Sequence, residues 1–267
     1  MSYMKDLYAR DPVKCLKIDE GAVEEKITGF IKREAGGFGG VVVGLSGGLD
    51  SAVSLALAVK ALGKDRVFGL IMPGSCTSQQ DIKDAQELAG SLGVEYSVVD
   101  ITSIYESIRS VSFSDDRVGC GNIMARVRMI VLRDFAHAKN LLVLGTGNKS
   151  ELMIGYFTKN GDGGVDILPI GGLYKTQVRV MAEHLGVSRG IIKKAPSAGL
   201  WAGQTDEGEM GVTYEVLDMI LMGLELGFSQ SEVSKLINIR EDTVNMVCGL
   251  IARSKHKVEP IPFPRVR

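Results

Sequence analysis

Val41-Val42-Val43 is a short β-branched run set between glycines, the pattern of a strand buried on both faces. Residues 52–59 beyond it are small and apolar and predict a helix. The pattern then alternates. Residues 67–72 read as a second strand, stopped by Pro73, and 78–92 as a helix with Ser78 and Asp81 near its start. Residues 96–100 form a third strand. Residues 122–139 form a long helix carrying Arg126, Arg128 and Arg133, and 141–145 form a fourth strand. Ahead of all this, Val23, Ile27, Phe30 and Ile31 fall at helical spacing within a predicted helix over 13–32. Strands alternating with helices predict parallel βαβ units, hence an α/β doubly wound parallel sheet with helices on both faces.

The pattern changes after Thr146. Residues 158–174 are glycine-dense and read as loop, 177–185 as a short helix, and 194–211 as a second glycine- and acid-rich stretch. Helices follow at 214–226, 229–237 and 241–254, so the C-terminal part is helical, and the tail 260–265 is extended. Both long loops contain apolar anchors, Leu168-Pro169-Ile170 and Leu200-Trp201, which favours lids or binding segments over disorder. Trp201, the single tryptophan, is either a lid anchor or part of the core.

Composition narrows the class. With 267 residues and 45% hydrophobic content, the chain can bury a sizeable core. A net charge of −1 supplies no global basic field for nucleic acid. Cys15, Cys76, Cys120 and Cys248 make no Cys-x-x-Cys pair, and no His stands at metal-ligand spacing from them. Scattered thiols, no signal-peptide stretch and no apolar run of membrane-spanning length predict a soluble cytoplasmic protein.

The chemistry concentrates in Gly44-Leu45-Ser46-Gly47-Gly48-Leu49-Asp50-Ser51, which joins the first strand to its helix. Backbone N–H groups and a helix dipole converge there on an anion, typically phosphate. The turn lacks the lysine of the common phosphate loop and carries Asp50 instead. A carboxylate beside phosphate calls for a cation between them, so the turn suggests a nucleotide, a pyrophosphate group and Mg²⁺. In open parallel sheets ligands bind at the carboxyl ends of strands. Met72-Pro73-Gly74 lies there, where an adenine could pack, and so does Gly145-Thr146-Gly147-Asn148-Lys149-Ser150-Glu151. Glu151 is a candidate second Mg²⁺ ligand beside Asp50; the alternative is a carboxylate favoured by a helix N-terminus.

The turn Ser46-Gly-Gly-Leu-Asp-Ser51 resembles the signature of the N-type ATP pyrophosphatases. Gly145–Glu151, Thr158-Lys-Asn-Gly-Asp162-Gly, Pro196-Ser-Ala-Gly-Leu-Trp201, Gly203-Gln-Thr-Asp-Glu207 and Ser254-Lys-His-Lys257 resemble NAD synthetases, in order and over nearly the whole chain. The resemblance implies an adenine-nucleotide α-hydrolase-like, Rossmann-like sheet and a single domain over 1–267 without a glutaminase domain. It implies an ammonia-dependent ligase that converts deamido-NAD to NAD with ATP through an adenylate, releasing AMP and pyrophosphate. ATP contacts carry over to residues 44–51, Met72, Thr146, Lys175 and Ser197. Deamido-NAD contacts carry over to Arg126, Lys159, Asp166, His256 and Lys257, and Mg²⁺ ligation to Asp50 and Glu151. Asp50, Asp162 and Lys175 are the implied catalytic set, with Asp162 near the ammonia; a plain Asx turn is its alternative. Residues 193–214 are expected to close over the intermediate. A homodimer is implied as well. Two rival readings stand beside this one: another N-type ATP pyrophosphatase, such as a GMP synthetase-like or tRNA-thiolating enzyme, and a nucleotide-binding module without turnover.

Overall fold

The computed structural model describes residues 2–201, 203–264 and 266. Its elements are α1 (Ser2–Arg10), α2 (Pro12–Cys15), α3 (Glu20–Glu34), β1 (Gly40–Gly44), α4 (Leu49–Leu62), β2 (Val67–Ile71), α5 (Gln79–Ser91), β3 (Glu95–Val98), α6 (Thr102–Arg109), α7 (Arg117–Lys139), β4 (Leu141–Leu144), α8 (Lys149–Ile154), α9 (Lys175–His184), α10 (Arg189–Ile192), α11 (Asp206–Met210), α12 (Tyr214–Glu225), α13 (Gln230–Leu236) and α14 (Glu241–Val258). The sheet is parallel throughout, in the order β3-β2-β1-β4.

The doubly wound expectation holds for a physical reason. Successive side chains of a strand point to opposite faces. Val41 and Val43 pack into one layer with Ile27, Ile31, Leu55, Val178 and Met181, drawn from α3, α4 and α9. Val42 points the other way, into a layer with Met124, Val127 and Leu132 of α7. Both layers are apolar, which is why β1 carries three valines without alternation. From Leu49 to Ala58, every α4 residue but Asp50 is buried, which its small residues permit. A third core, centred on Tyr214, Leu217, Ile220, Leu221, Val244 and Val247, unites α12 and α14 with the end of α8.

Several boundaries differ from the sequence expectation. The single helix expected over 13–32 is two, α2 and α3, because Asp19 accepts a hydrogen bond from Ala22 N at 2.9 Å and starts a new helix. The long helix begins earlier, at Arg117, where Asp116 takes Gly119 N at 2.9 Å. The third strand ends at Val98; Asp100 then accepts Thr102 N at 2.8 Å and turns the chain into α6, which was not expected. The loop over 158–174 is confirmed. Ile167 pairs beside Leu144, and Gly145 N donates to Ile167 O at 2.8 Å, so this loop covers the outer edge of β4. In the expected tail, Arg265 lies outside the described residues. No described helix is long and apolar enough to cross a membrane.

The strand order reverses between β1 and β4. The two segments that leave their carboxyl ends, residues 45–48 and 145–148, therefore diverge and open a crevice between them.

Candidate active site

The β1–α4 turn is built to approach a ligand closely. Gly47 has φ +73°, and a Cβ there would lie 2.3 Å from Asp81 O, so the position excludes other residues. Ser51 Oγ donates to Gly48 O at 3.0 Å, while Ser46 Oγ accepts Gly48 N at 3.2 Å and lies 3.1 Å from Ser51 Oγ. The hydroxyls thus brace the turn around the start of α4, whose first N–H groups have no side-chain cap.

Across the crevice, α8 starts at Asn148 with a capping box. Asn148 Oδ1 accepts Glu151 N at 3.0 Å, Glu151 Oε2 accepts Asn148 N at 3.2 Å, and Asn148 Nδ2 donates to Asp50 Oδ1 at 3.1 Å. One buried asparagine therefore holds two carboxylates from distant parts of the chain in register, Asp50 through its side-chain amide and Glu151 through its backbone N–H. Lys175, at the start of α9, is 3% exposed; its Nζ contacts Asp50 Oδ2 and lies 3.5 Å from Glu151 Oε1 and 5.1 Å from the Tyr214 ring centre. Asp206 stands on the same side. Its Oδ2 accepts Tyr214 Oη at 3.0 Å, and its buried Oδ1 has no partner among the described residues.

Three carboxylates against one ammonium leave this cluster short of positive charge. Burial pushes Glu151 up to about 8; Lys175 pulls it back down, while Asp50 and Asp206 push it further up. Burial likewise raises Asp206 above the usual carboxylate range against the pull of Lys175. Burial alone would lower Lys175, but Asp50 and Glu151 outweigh it and hold the lysine above its ordinary value. No group of three or more His, Cys, Asp or Glu among the described residues is arranged to cage a metal. Asp50 and Glu151 do suit Mg²⁺, which needs only one or two carboxylates when phosphate oxygens and water complete its shell.

These groups face a cavity of about 510 Å³, within the range of small-ligand sites. Gly44, Leu45, Ser46, Gly48, Leu49, Asp50, Ser51, Met72, Thr146, Glu151, Asp162, Lys175, Ser197 and Lys257 line it, so the structure gathers nearly all of the expected ATP, metal and catalytic positions. Gly47 is turned toward α5. Asp162 accepts Thr158 N at 2.9 Å, so it serves the turn and lines the cavity at once. Burial raises Asp162, against backbone hydrogen bonds and the charges of Lys257 and Arg128. Lys257 Nζ donates to Gly155 O and Phe157 O, each at 2.7 Å.

Four expected dinucleotide contacts lie outside this lining. Arg126 is exposed and donates to Lys159 O at 3.3 Å, and Lys159 Nζ reaches His256 O at 2.8 Å, so these three form one surface group. Asp166 pairs with Arg133 at 2.6 Å and accepts Val143 N at 2.8 Å, fastening the loop to β4.

The sequence reading did not single out Arg128, Lys194 and Asp206, which line the cavity, or Asn148, which stands behind Asp50 and Glu151. Asn148 had a signal, since Asn-x-x-Glu before a helix is a capping box. Lys194 had none. Its Nζ donates to Gly47 O at 2.9 Å, Asp81 Oδ1 at 2.7 Å and Asp84 Oδ2 at 2.5 Å, tying the loop over 194–205 to the turn and to α5. Farther along that loop, Leu200 and Trp201 pack on Gly121 of α7, and Cys76 Sγ lies 3.3 Å from Leu200 O. Trp201 is thus an anchor of the loop over the cavity.

Comparison with known proteins agrees with this geometry. A family model described as NAD synthase matches residues 23–261. The NH(3)-dependent NAD(+) synthetase of Methanocaldococcus jannaschii is 47% identical over 250 residues, 91% of this chain and 96% of the relative. Among solved structures, the NMN synthetase of Francisella tularensis superposes with TM-score 0.83 at 36% identity, covering 93% of this chain and 99% of that one. The NH3-dependent NAD synthetase of Campylobacter jejuni gives TM-score 0.79 at 31% identity, covering 93% and 100%.

Proposed function

This chain belongs to the NAD synthase family, and on that premise we propose that it amidates deamido-NAD to NAD with ammonia, consuming ATP and releasing AMP and pyrophosphate. The observation that carries the reading is the meeting of Asp50, Glu151 and Lys175 beside the glycine turn, at the point where the strand order reverses.

The chemistry follows from that placement. A carboxylate resists ammonia until one of its oxygens becomes a good leaving group. An oxygen of the nicotinate carboxylate attacks the α-phosphorus of ATP. The bond from that phosphorus to the bridging oxygen breaks, and pyrophosphate takes the electron pair. In-line transfer of this kind depends on positioning and charge neutralisation. The N–H groups of residues 46–51 and the ammonium of Lys175 hold the departing pyrophosphate. Residues Gly44, Leu45, Met72, Thr146 and Ser197 bind the rest of the nucleotide. Asp50 and Glu151 would hold Mg²⁺, which when bound offsets phosphate charge. Ammonia then attacks the activated carbonyl carbon, AMP leaves with the C–O electron pair, and Asp162 takes the surplus proton. The loop over 194–205, fastened by Lys194 and Trp201, keeps water from the adenylate.

Arg126, Lys159 and His256 receive the distal half of the dinucleotide, and Lys257 the part inside the cavity. Asp166 acts by holding its loop. The exposed apolar residues Val111, Phe113, Val118 and Ile130 support a homodimer through the α6–α7 side. Four free thiols fit a cytoplasmic setting.

The test incubates the protein with ATP, Mg²⁺, ammonium and deamido-NAD, and follows NAD and AMP. Stoichiometric NAD and AMP are expected; absence of AMP overturns the reading. Similarity to the NMN synthetase favours one second reading, amidation of the mononucleotide. A parallel reaction with nicotinate mononucleotide decides between them by kcat/KM. Asp50→Ala is expected to abolish adenylation while the protein remains folded.

A further inference from the structure

Arg128 has no role in the reaction as derived above, yet it lines the cavity. It sits two residues beyond Arg126 on α7. Positions two apart on a helix point to nearly opposite sides, so Arg126 emerges at the surface and Arg128 turns inward beneath the β2 end of the sheet. Its Nε donates to Met72 O at 3.2 Å and its Nη2 reaches Thr77 Oγ1 at 3.5 Å. Thr77 Oγ1 is itself held by Gly74 N at 3.0 Å. These bonds fix the plane of the guanidinium against the loop over 72–77. Among the described residues, Nη1 has no acceptor and no carboxylate pairs with Arg128.

Arg128 is half-buried, and a guanidinium that lines a cavity with no carboxylate partner is suited to a ligand anion. Burial drags Arg128 below its ordinary value, against the distant pull of Cys76 and Asp162. Its free edge is a rigid fork suited to phosphate. Position within the cavity selects which phosphate. The turn at 46–51 and Lys175 occupy the end where pyrophosphate departs. Met72 marks the adenosine side. Asp162, within electrostatic reach of Arg128, marks the end where nitrogen enters. The α-phosphate is the group that must lie between all three.

We propose that Arg128 grips the α-phosphate of ATP and of the adenylate, and stabilises AMP as it leaves. This rests on the functional reading above for the identity of the nucleotide. A donor on the leaving phosphate gains strength as charge develops there, so it accelerates the second step as well as binding AMP.

Calorimetric titration without Mg²⁺ or the second substrate tests it. AMP and adenosine are titrated into the wild type, Arg128→Gln and Arg128→Lys, with circular dichroism to confirm folding. Loss of a charge-assisted contact predicts AMP binding weakened about ten- to a hundredfold in R128Q. Adenosine affinity changes less than about threefold. R128K retains the charge without the fork and falls between. The proposal is overturned if AMP and adenosine weaken equally, if the wild type prefers neither, or if R128Q binds AMP as the wild type does. Should the wild type make NAD while R128Q holds AMP normally, the functional reading stands and this assignment falls. Should no NAD form while AMP affinity still depends on Arg128, the phosphate contact stands and the reaction is misassigned.

Discussion

Asp218 offers the sharpest test of how the third core supports the site. It is 0% exposed, on α12. Its Oδ1 accepts from Ser150 Oγ, and its Oδ2 accepts Thr176 N at 2.8 Å and Thr176 Oγ1 at 2.7 Å. Ser150 Oγ in turn accepts Lys175 N at 2.9 Å. One carboxylate therefore fixes the residue before Glu151 and the residue after Lys175. Asp218→Ala strands three donors in a buried place. At about 1–3 kcal/mol for each unsatisfied group, less the regained cost of burying the carboxylate, the expected loss is about 3–4 kcal/mol. Asp218→Asn keeps one oxygen for Thr176 and the original shape, and loses about 1–2 kcal/mol. For a domain of this size these losses lower Tm by roughly 6–16 °C and 2–8 °C. Urea and thermal unfolding measure the loss, and initial rates of AMP formation are taken well below the melting range. D218N is expected to lower kcat about tenfold with little change in the KM for ATP, because it disturbs alignment and not the binding surface. Unfolding of both variants within about 0.5 kcal/mol of wild type would refute the bond accounting. A normal kcat in D218N would refute the positioning argument.

Further outcomes are expected elsewhere. Asn148→Ala removes the amide shared by Asp50 and Glu151; it should cost about 1–2 kcal/mol in stability and depress ATP–pyrophosphate exchange more than ATP binding. Gly47→Ala drives a Cβ against Asp81 O and should abolish exchange while far-ultraviolet dichroism is retained. Lys194→Met has a pH signature. Burial would raise Asp84, but hydrogen bonds from Lys194 and Gln80 hold it below its ordinary 3.8, so its contribution is present above that pH and vanishes as pH falls through the lowered value. Burial would lower Lys194, but Asp81 and Asp84 hold it above 10.5, so its contribution is complete below that pH and vanishes as pH rises through the raised value. The stability gap between wild type and K194M should therefore be widest near neutrality and shrink toward both extremes, as urea titrations across pH will read. On the homodimer proposed above, Phe113→Glu should shift sedimentation to the monomer; a sedimentation coefficient equal to that of wild type would refute the α6–α7 side as the interface.

What the sequence determined by itself is local. A β-branched run, a glycine turn and a small-residue helix sit side by side in the chain, and their backbone physics does not depend on distant partners. The sheet, its two covered faces and the turn at 44–51 were legible for that reason. So were Glu151 and Lys175, through segments whose order resembles a known family. Boundaries failed where one side chain restarted the backbone, as Asp19 and Asp100 do. Tertiary structure decided the rest, because the deciding contacts join residues far apart in sequence. Lys175 meets Asp50, Lys194 clasps Gly47, and Asp218 secures Ser150 only after three separate cores have packed. Arg126 and Arg128 are the clearest case. As sequence they are two equivalent arginines on one helix. Helix phase sends one outward to Lys159 and the other inward to Met72, and which direction is inward was set by where β1 and β4 lie against α7.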